Sequence, residues 1–243
     1  LGKDIQPYRT AQKGFASVCG LNSQTYDLHT APGGVEGVLE KIVEDRPDLI
    51  LAIGSEALKA AVEIDGIPVV FSMVVRPESI LQDDSSATGS SAVVPYGEQV
   101  EVLSVIDSTI ERVGLVHDPQ RTAELVAEID AAAGVLNIRL IANPARSLRE
   151  TLRVMKSMEA EVDAWLMIPD VTTVITQTFE FMVGSSLRNG KPIVALSRKF
   201  VERSALFALV LDYQDLGRQA GELANKILAC ADPRDLEIAR ART

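Results

Sequence analysis

The sequence predicts an α/β fold made of two lobes, each a doubly wound parallel sheet, joined by a hinge of several crossing strands. Three observations carry this expectation. Short β-rich runs alternate with segments of helical apolar spacing along the whole chain, the signature of successive βαβ units. Several β-rich runs, such as "LILAI" at 49–53, show little polar alternation, as strands covered on both faces do. About nine candidate strands are too many for one compact sheet of 243 residues, and the hydrophilic stretch "LQDDSSATGSS" at 81–91 interrupts the middle.

Taken in order, the expected strands are "TYDLHT" (25–30), "DLILAIG" (48–54), "PVVFSMVV" (68–75), "GSSAVV" (89–94), "ERVGLVHD" (111–118), "IRLIAN" (138–143), "AWLMIPD" (164–170), "PIVALS" (192–197) and "ALFALVLDY" (205–213). The expected helices are 35–44, 55–64, 119–135, 148–158, 172–187 and 214–228, most with apolar residues at helical spacing. The first lobe is expected to run over 1–94 and to be completed by 205–232, the second over 95–204. The charged segment 233–243 is expected to be a peripheral tail. The opening "LGKDIQPY" reads as the end of a strand, which predicts a removed targeting segment or lipid anchor ahead of it.

Composition limits the function classes. With 34 acidic and 24 basic residues the formal charge is -10, which opposes binding to nucleic-acid phosphates or an anionic membrane surface. The longest apolar runs fall far short of the roughly 20 residues of a membrane-spanning helix. Two cysteines, Cys19 and Cys230, are too few for a thiolate metal site, and leave open either one disulfide or two small apolar side chains. His29 and His117, the only histidines, fit no metal-ligand spacing, and the G-x-S-x-G, C-x-x-C, P-loop and dinucleotide fingerprints are absent. Neither cofactor nor metal is expected.

Ligands of doubly wound sheets sit beyond the carboxyl ends of the strands. Polar or small residues recur there: Gly54-Ser55, the segment 73–78 beginning Met73-Val74, His117-Asp118-Pro119, Asp170-Val171-Thr172, and Ser197-Arg198-Lys199. For Arg198 and Lys199 solvation is the plainer reading, and for Phe71, inside a strand, core burial is.

The phrases "DIQPYRTAQKGF", "PDLILAIGSEALKA", "IPVVFSMVVRPES", "ATGSS", "ERVGLVHDP", "VDAWLMIPDVTTV", "KPIVALSRKFV" and "LDYQDLGRQAGELANKIL", in that order, resemble the substrate-binding proteins of a bacterial ABC-transporter family with the type I periplasmic-binding fold. The resemblance covers nearly the whole chain. It implies an extracytoplasmic protein, periplasmic or lipid-anchored, that closes on a small ligand and presents it to a membrane permease; members of the family bind aromatic amino acids. Where many members carry a small "xxGAL" turn, this chain has "VERSALF", with Arg203 and Ser204 in place of the glycine.

That fold gives the strand ends their expected roles. The first N–H groups after Gly54 lack intrahelical partners and carry partial positive charge, so Ser55, Glu56 and Ala57 are expected to meet a ligand carboxylate, with Gly54 allowing close approach. Ser55 as a plain N-cap is the competing reading. Asp170, and less so Asp118, are expected at the ligand's ammonium group, against helix capping, which the Pro after Asp118 favours. Thr172 and Ser197 join by position. Asp212 is a hinge or cleft residue, and Tyr8, Met73, Val74 and Tyr96 are candidates for lining the ligand's side chain, with surface packing the equal alternative for Tyr8. Micromolar affinity needs about 8 kcal/mol, while one hydrogen bond to a charged group supplies roughly 1.5–3, so contacts from both lobes are needed. Two other classes compete: a sensing module that reports to a regulator or receptor, and an enzyme using Asp118 and Asp170 as an acid/base pair.

Overall fold

A computed structural model describes residues 1–20, 23–82 and 85–242; Asp83 and Asp84 of the hydrophilic stretch, and Thr243, lie outside them. The chain divides into two compact units: Leu1–Val94 with Leu211–Thr243, and Pro95–Val210.

In the first unit, β1 (Ile50–Ile53), β2 (Val69–Val74) and β3 (Ala87–Ser91) form a parallel sheet in that order, with Ile50 opposite Val69 and Val69 opposite Ala87. Around it lie α1 (Gln6–Val18), α2 (Gly34–Asp45), α3 (Ser55–Ala61) and α9 (Tyr213–Leu228). All but one residue of β2 is buried, as a central strand covered on both faces requires.

In the second unit, β4 (Arg112–His117), β5 (Arg139–Pro144), β6 (Ala164–Leu166) and β7 (Ile193–Val194) form a parallel sheet in the order β5-β4-β6-β7. Its helices are α4 (Tyr96–Ile106), α5 (Pro119–Val135), α6 (Leu148–Met158), α7 (Thr176–Asn189) and the single turn α8 (Arg198–Val201). Trp165 is fully buried among Met155, Met158 and Phe179. Its indole N–H donates to Ser185 Oγ at 3.2 Å, which satisfies the one polar atom this core side chain carries.

The tightest packing in the first unit joins α1 to α9. The helices run side by side in the same direction, Ala11 against Gly217 and Phe15 against Gly221. A Cβ added at Gly217 would fall 1.8 Å from the Ala11 carbonyl oxygen, and one at Gly14 2.0 Å from that of Gln214. Only glycine permits such backbone contact. Beneath it, Ser90 of β3 donates to the Leu216 carbonyl of α9 at 2.8 Å.

Several expectations are corrected here. Seven strands are formed among the described residues, not nine. "TYDLHT" ends in a turn, and its strand-like contacts are to Leu1, whose amino group donates to the Tyr26 carbonyl at 2.7 Å and whose carbonyl accepts from the Leu28 N–H, while Gly2 N–H donates to Ile53 at the end of β1. "ALFALVLDY" forms an isolated bridge from Phe207 to Val194 of β7. Residues up to Val210 therefore stay with the second unit, and the return begins at Leu211. The strand expected as "GSSAVV" starts two residues earlier, at Ala87. The helix expected over 55–64 ends at Ala61 and that expected over 172–187 spans Thr176–Asn189, because the buried Asp170 holds residues 170–174 in turns. The charged tail is an integral edge: Ala239 pairs with β3 through the Ser91 and Ala239 N–H groups, and Thr88 donates to the Leu236 carbonyl. Cys19 and Cys230 are free thiols, the first buried and the second exposed.

Ser204, which stands in the position the resemblance gives to glycine, has φ +87°. That left-handed backbone costs a residue with a Cβ about 1–2 kcal/mol, so Ser204→Gly should raise the unfolding free energy by about 1 kcal/mol in urea denaturation. Gly217→Ala should lower it by about 1–3 kcal/mol through overpacking against α1, with the same measurement as the check.

Candidate functional site

The carboxyl ends of β1 and β2 carry the first unit's candidates. Gly54 is the N-cap residue of α3, with φ +91° and ψ 159°, a conformation that favours glycine. The open space at its Cα is taken by Tyr8 of α1: a Cβ at Gly54 would fall 2.4 Å from Tyr8 Oη. Burial, together with the negative charge of Glu56, pushes the Tyr8 hydroxyl above its ordinary pKa, so it stays a neutral donor at physiological pH.

Ser55 is the first helical residue, not the cap. The cap position is Gly54, without a side-chain cap hydrogen bond, so the half-buried Ser55 hydroxyl has no capping task. The neighbouring Glu56 side chain is exposed and turned to His29, whose Nε2 lies 2.9 Å from Glu56 Oε2, and to Lys3 at 4.0 Å. The His29 hydrogen bond holds the Glu56 carboxyl below its usual range. Ala57 is packed into the core. Glu56 and Ala57 thus offer a ligand their backbone N–H groups only.

At the end of β2, Met73 adopts φ +61°, and the register between β2 and β3 shifts between Phe71 and Val74. A left-handed methionine inside a strand is a strained conformation that surrounding structure must impose. It leaves the Met73 side chain half exposed while Phe71 and Val74, both 0% exposed, fill the core. Val74 therefore drops out as a side-chain contact; its carbonyl is taken by the Ala92 N–H at 2.7 Å. Asp212 caps α9, its Oδ1 accepting from the Gln214 and Asp215 N–H groups at 2.9 and 3.0 Å, which is the structural role expected of an N-cap aspartate.

The second unit brings Asp118 and Asp170 into one buried polar network. Asp170, 2% exposed, accepts at Oδ2 from the Asp118 N–H at 2.6 Å and the Thr122 hydroxyl at 3.0 Å, and at Oδ1 from the Thr172 N–H at 2.9 Å. Asp118, 7% exposed, caps α5 through the Gln120 N–H at 3.1 Å and accepts from the Thr172 hydroxyl at 3.2 Å. Arg121 is the nearest ion-pair partner, its Nε 3.6 Å from Asp118 Oδ2. His117, also buried, places Nδ1 3.4 Å from Thr122 Oγ1. Burial pushes its pKa below the ordinary histidine value, against the pull of Asp170 and Asp118.

Capping and ligand binding are both open to these carboxylates. A carboxylate offers about four acceptor positions; among the described residues three donors reach Asp170, which leaves one position on Oδ1. Ser197 stands at the N-cap position of α8 with no side-chain hydrogen bond there, and Tyr96 is packed against the second unit's core. Thr122, Arg121 and His29 were missed as site neighbours. Only "HDPQRT" hinted at Thr122, four residues after a cap aspartate and so on the same helix face.

Among the described residues no group of three or more His, Cys, Asp or Glu could hold a metal ion, and no helix is long and apolar enough to cross a membrane.

The two serine and aspartate positions separate cleanly by stability. Asp212→Ala should cost about 1 kcal/mol, as loss of a working cap does, whereas Ser55→Ala should change the unfolding free energy by less than about 0.5 kcal/mol, the level of an ordinary surface substitution. Chemical denaturation of the two variants checks both.

Residues 18–243 match the family described as ABC transporter substrate binding protein. A curated relative, the tyrosine-binding protein of Clostridioides difficile (strain R20291), is 22% identical over 213 residues, which is 84% of this chain. The chain spans 61% of that relative's length. Among solved structures, the ligand-free, open structure of a substrate binding protein with adhesive properties from Clostridium difficile aligns with a TM-score of 0.77 at 18% identity, covering 98% of this chain and 86% of the other. The ABC domain in complex with L-Trp from Streptococcus pneumonia aligns at 0.56 with 23% identity, covering 96% and 83%. These likenesses identify the fold as that of type I periplasmic binding proteins, which the parallel sheets of both units share. With the family match running over all but the first 17 residues, the chain belongs to the ABC transporter substrate binding proteins.

Proposed function

We propose that the protein is the extracytoplasmic solute-binding component of an ABC importer, that its ligand is an amino acid with an aromatic or bulky apolar side chain, and that a membrane permease receives it. The observation that carries the ligand class is the pair of buried carboxylates in the second unit, Asp118 and Asp170, held by N–H and hydroxyl donors with one Oδ1 acceptor position unfilled on Asp170. Two carboxylates beside one offset arginine favour a cationic group. The Asp170 Oδ1 takes an N–H of the ligand's ammonium group, with Asp118 and Thr172 beside it.

In the first unit the donors are uncharged: the Tyr8 and Ser55 hydroxyls and the N–H groups that follow Gly54. They take the ligand's carboxylate. Met73, half exposed on its strained backbone, contacts the apolar side chain through a flexible, polarizable thioether suited to aromatic rings. The relatives' printed ligands, tyrosine and L-Trp, support an aromatic amino acid.

A ligand that binds only the native state stabilises it by about 2.7 kcal/mol at a hundredfold excess over Kd, which for a chain of this size raises the melting midpoint by roughly 5–10 °C. A thermal-shift screen of refolded, ligand-stripped protein should therefore show such a rise with tyrosine, tryptophan or phenylalanine and none with sugars, nucleosides or small anions. Silence for every amino acid beside a shift with another class would replace the ligand while leaving the family in place.

A further inference from the structure

Of the side chains around Asp170 that the proposed ligand contacts do not use, Thr122 is the one that donates to the carboxylate itself. Thr122 is 7% exposed, on the first turns of α5, and its hydroxyl has three neighbours: Asp170 Oδ2 at 3.0 Å, the Asp118 carbonyl at 3.2 Å and His117 Nδ1 at 3.4 Å. A hydroxyl has one proton to donate. The carboxylate is the nearest of the three and the only charged acceptor, and a charge-assisted hydrogen bond outweighs a back-bond to the helix carbonyl. The proton therefore goes to Asp170. The hydroxyl's lone pairs then face His117, which selects the tautomer carrying hydrogen on Nδ1.

With that assignment the acceptor positions on Asp170 can be counted. Oδ2 is filled by the Asp118 N–H and the Thr122 hydroxyl, and Oδ1 holds the Thr172 N–H and one vacancy. Two donors on one oxygen and one on the other fix the carboxylate's rotation. Without the Thr122 hydroxyl, a second acceptor position opens on Oδ2, where it competes with the Oδ1 position for the ligand's donor, and only the Asp118 and Thr172 N–H groups hold the carboxylate. We propose that Thr122 is a positioning residue for ligand capture, filling Oδ2 so that the Oδ1 vacancy is the single place where Asp170 accepts from the ligand's ammonium group. This rests on the reading above that Asp170 binds that group.

Thr122→Val keeps the shape and removes the donor; Thr122→Ser keeps the donor and removes the methyl group. Calorimetric titration of the wild type, both variants and Asp170→Asn would use L-tyrosine and 3-(4-hydroxyphenyl)propionate, which is tyrosine without its amino group. Folding of each is checked by circular dichroism. Thr122→Val should bind tyrosine about tenfold more weakly than the wild type, and Thr122→Ser within about threefold of it. The deaminated compound should bind wild type and Thr122→Val alike, an outcome that general damage to the unit would not produce. Equal losses for both compounds, or tyrosine binding by Thr122→Val at the wild-type level while Asp170→Asn is weakened, overturn the role of Thr122 alone. Unweakened binding by Asp170→Asn, or a wild type that binds none of tyrosine, tryptophan and phenylalanine in the same titration, overturns the ammonium reading and this inference with it.

Discussion

The contact on which the first unit depends is the backbone-to-backbone packing of α1 on α9. Gly14, Gly217 and Gly221 remove every side-chain atom that would keep the helices apart, and Ala11, Ala220 and Ala224 fill the seam without spreading it. Close approach maximises dispersion contact per unit length of helix, but its larger effect is geometric. The position of α1 is fixed against α9, and α9 is fixed against the sheet by Ser90 and Leu216. The first turns of α1 consequently deliver Tyr8 onto Gly54 at the end of β1. A candidate ligand contact thus depends on glycines packed one to two turns along α1 that touch no ligand.

The two units solve opposite electrostatic problems at equivalent strand edges. The first offers neutral hydroxyls and N–H groups, with the one nearby carboxylate, Glu56, drawn aside by His29 and Lys3. The second buries two carboxylates and solvates them mainly with peptide N–H groups and threonine hydroxyls, with the Arg121 guanidinium 3.6 Å from one oxygen of Asp118. Fixed dipoles can hold a buried anion without cancelling its charge, so a negative potential is left at that edge. The formal charge of -10 on the whole chain has no bearing on this local arrangement, because exposed charges are screened within about 8–10 Å at physiological salt.

The alternation of β-rich runs with helical patterns made the fold class legible, and the strongest elements were legible to the residue: α5 follows from Asp118-Pro119 as cap and first position, and α6 from Ser147 ahead of an amphipathic run. "ALFALVLDY" misled because apolar composition reports burial as much as strand pairing, and "TYDLHT" because its threonines and tyrosine favour extended backbone without securing a neighbouring strand. Both runs pack through isolated contacts instead. Site residues were legible by position at strand ends, but their partners were not. Nothing local marks Thr122 as the donor to a carboxylate 48 residues later, or Tyr8 as the neighbour of Gly54, since sequence spacing carries no information about contacts made by topology. The left-handed backbones at Met73 and Ser204 were hidden for the related reason that neither residue type announces a positive φ, although the glycine expected in the Ser204 position came close to doing so.

The division of the chain has a consequence for its biogenesis. The second unit is a continuous stretch, Pro95–Val210, whereas the first is assembled from pieces on either side of it. A ribosome releases the second unit's whole sequence before α9 exists, so that unit can close while the first still lacks a partner for the glycine face of α1 and a cover for the free edge of β3. Joining Ala11 to Gly217 closes a loop of about two hundred residues, the kind of distant contact that forms late and slowly. Completion of the first unit, and with it the seating of Tyr8 on Gly54, therefore requires the last long helix of the chain, and the sequence separation of that contact favours its forming late.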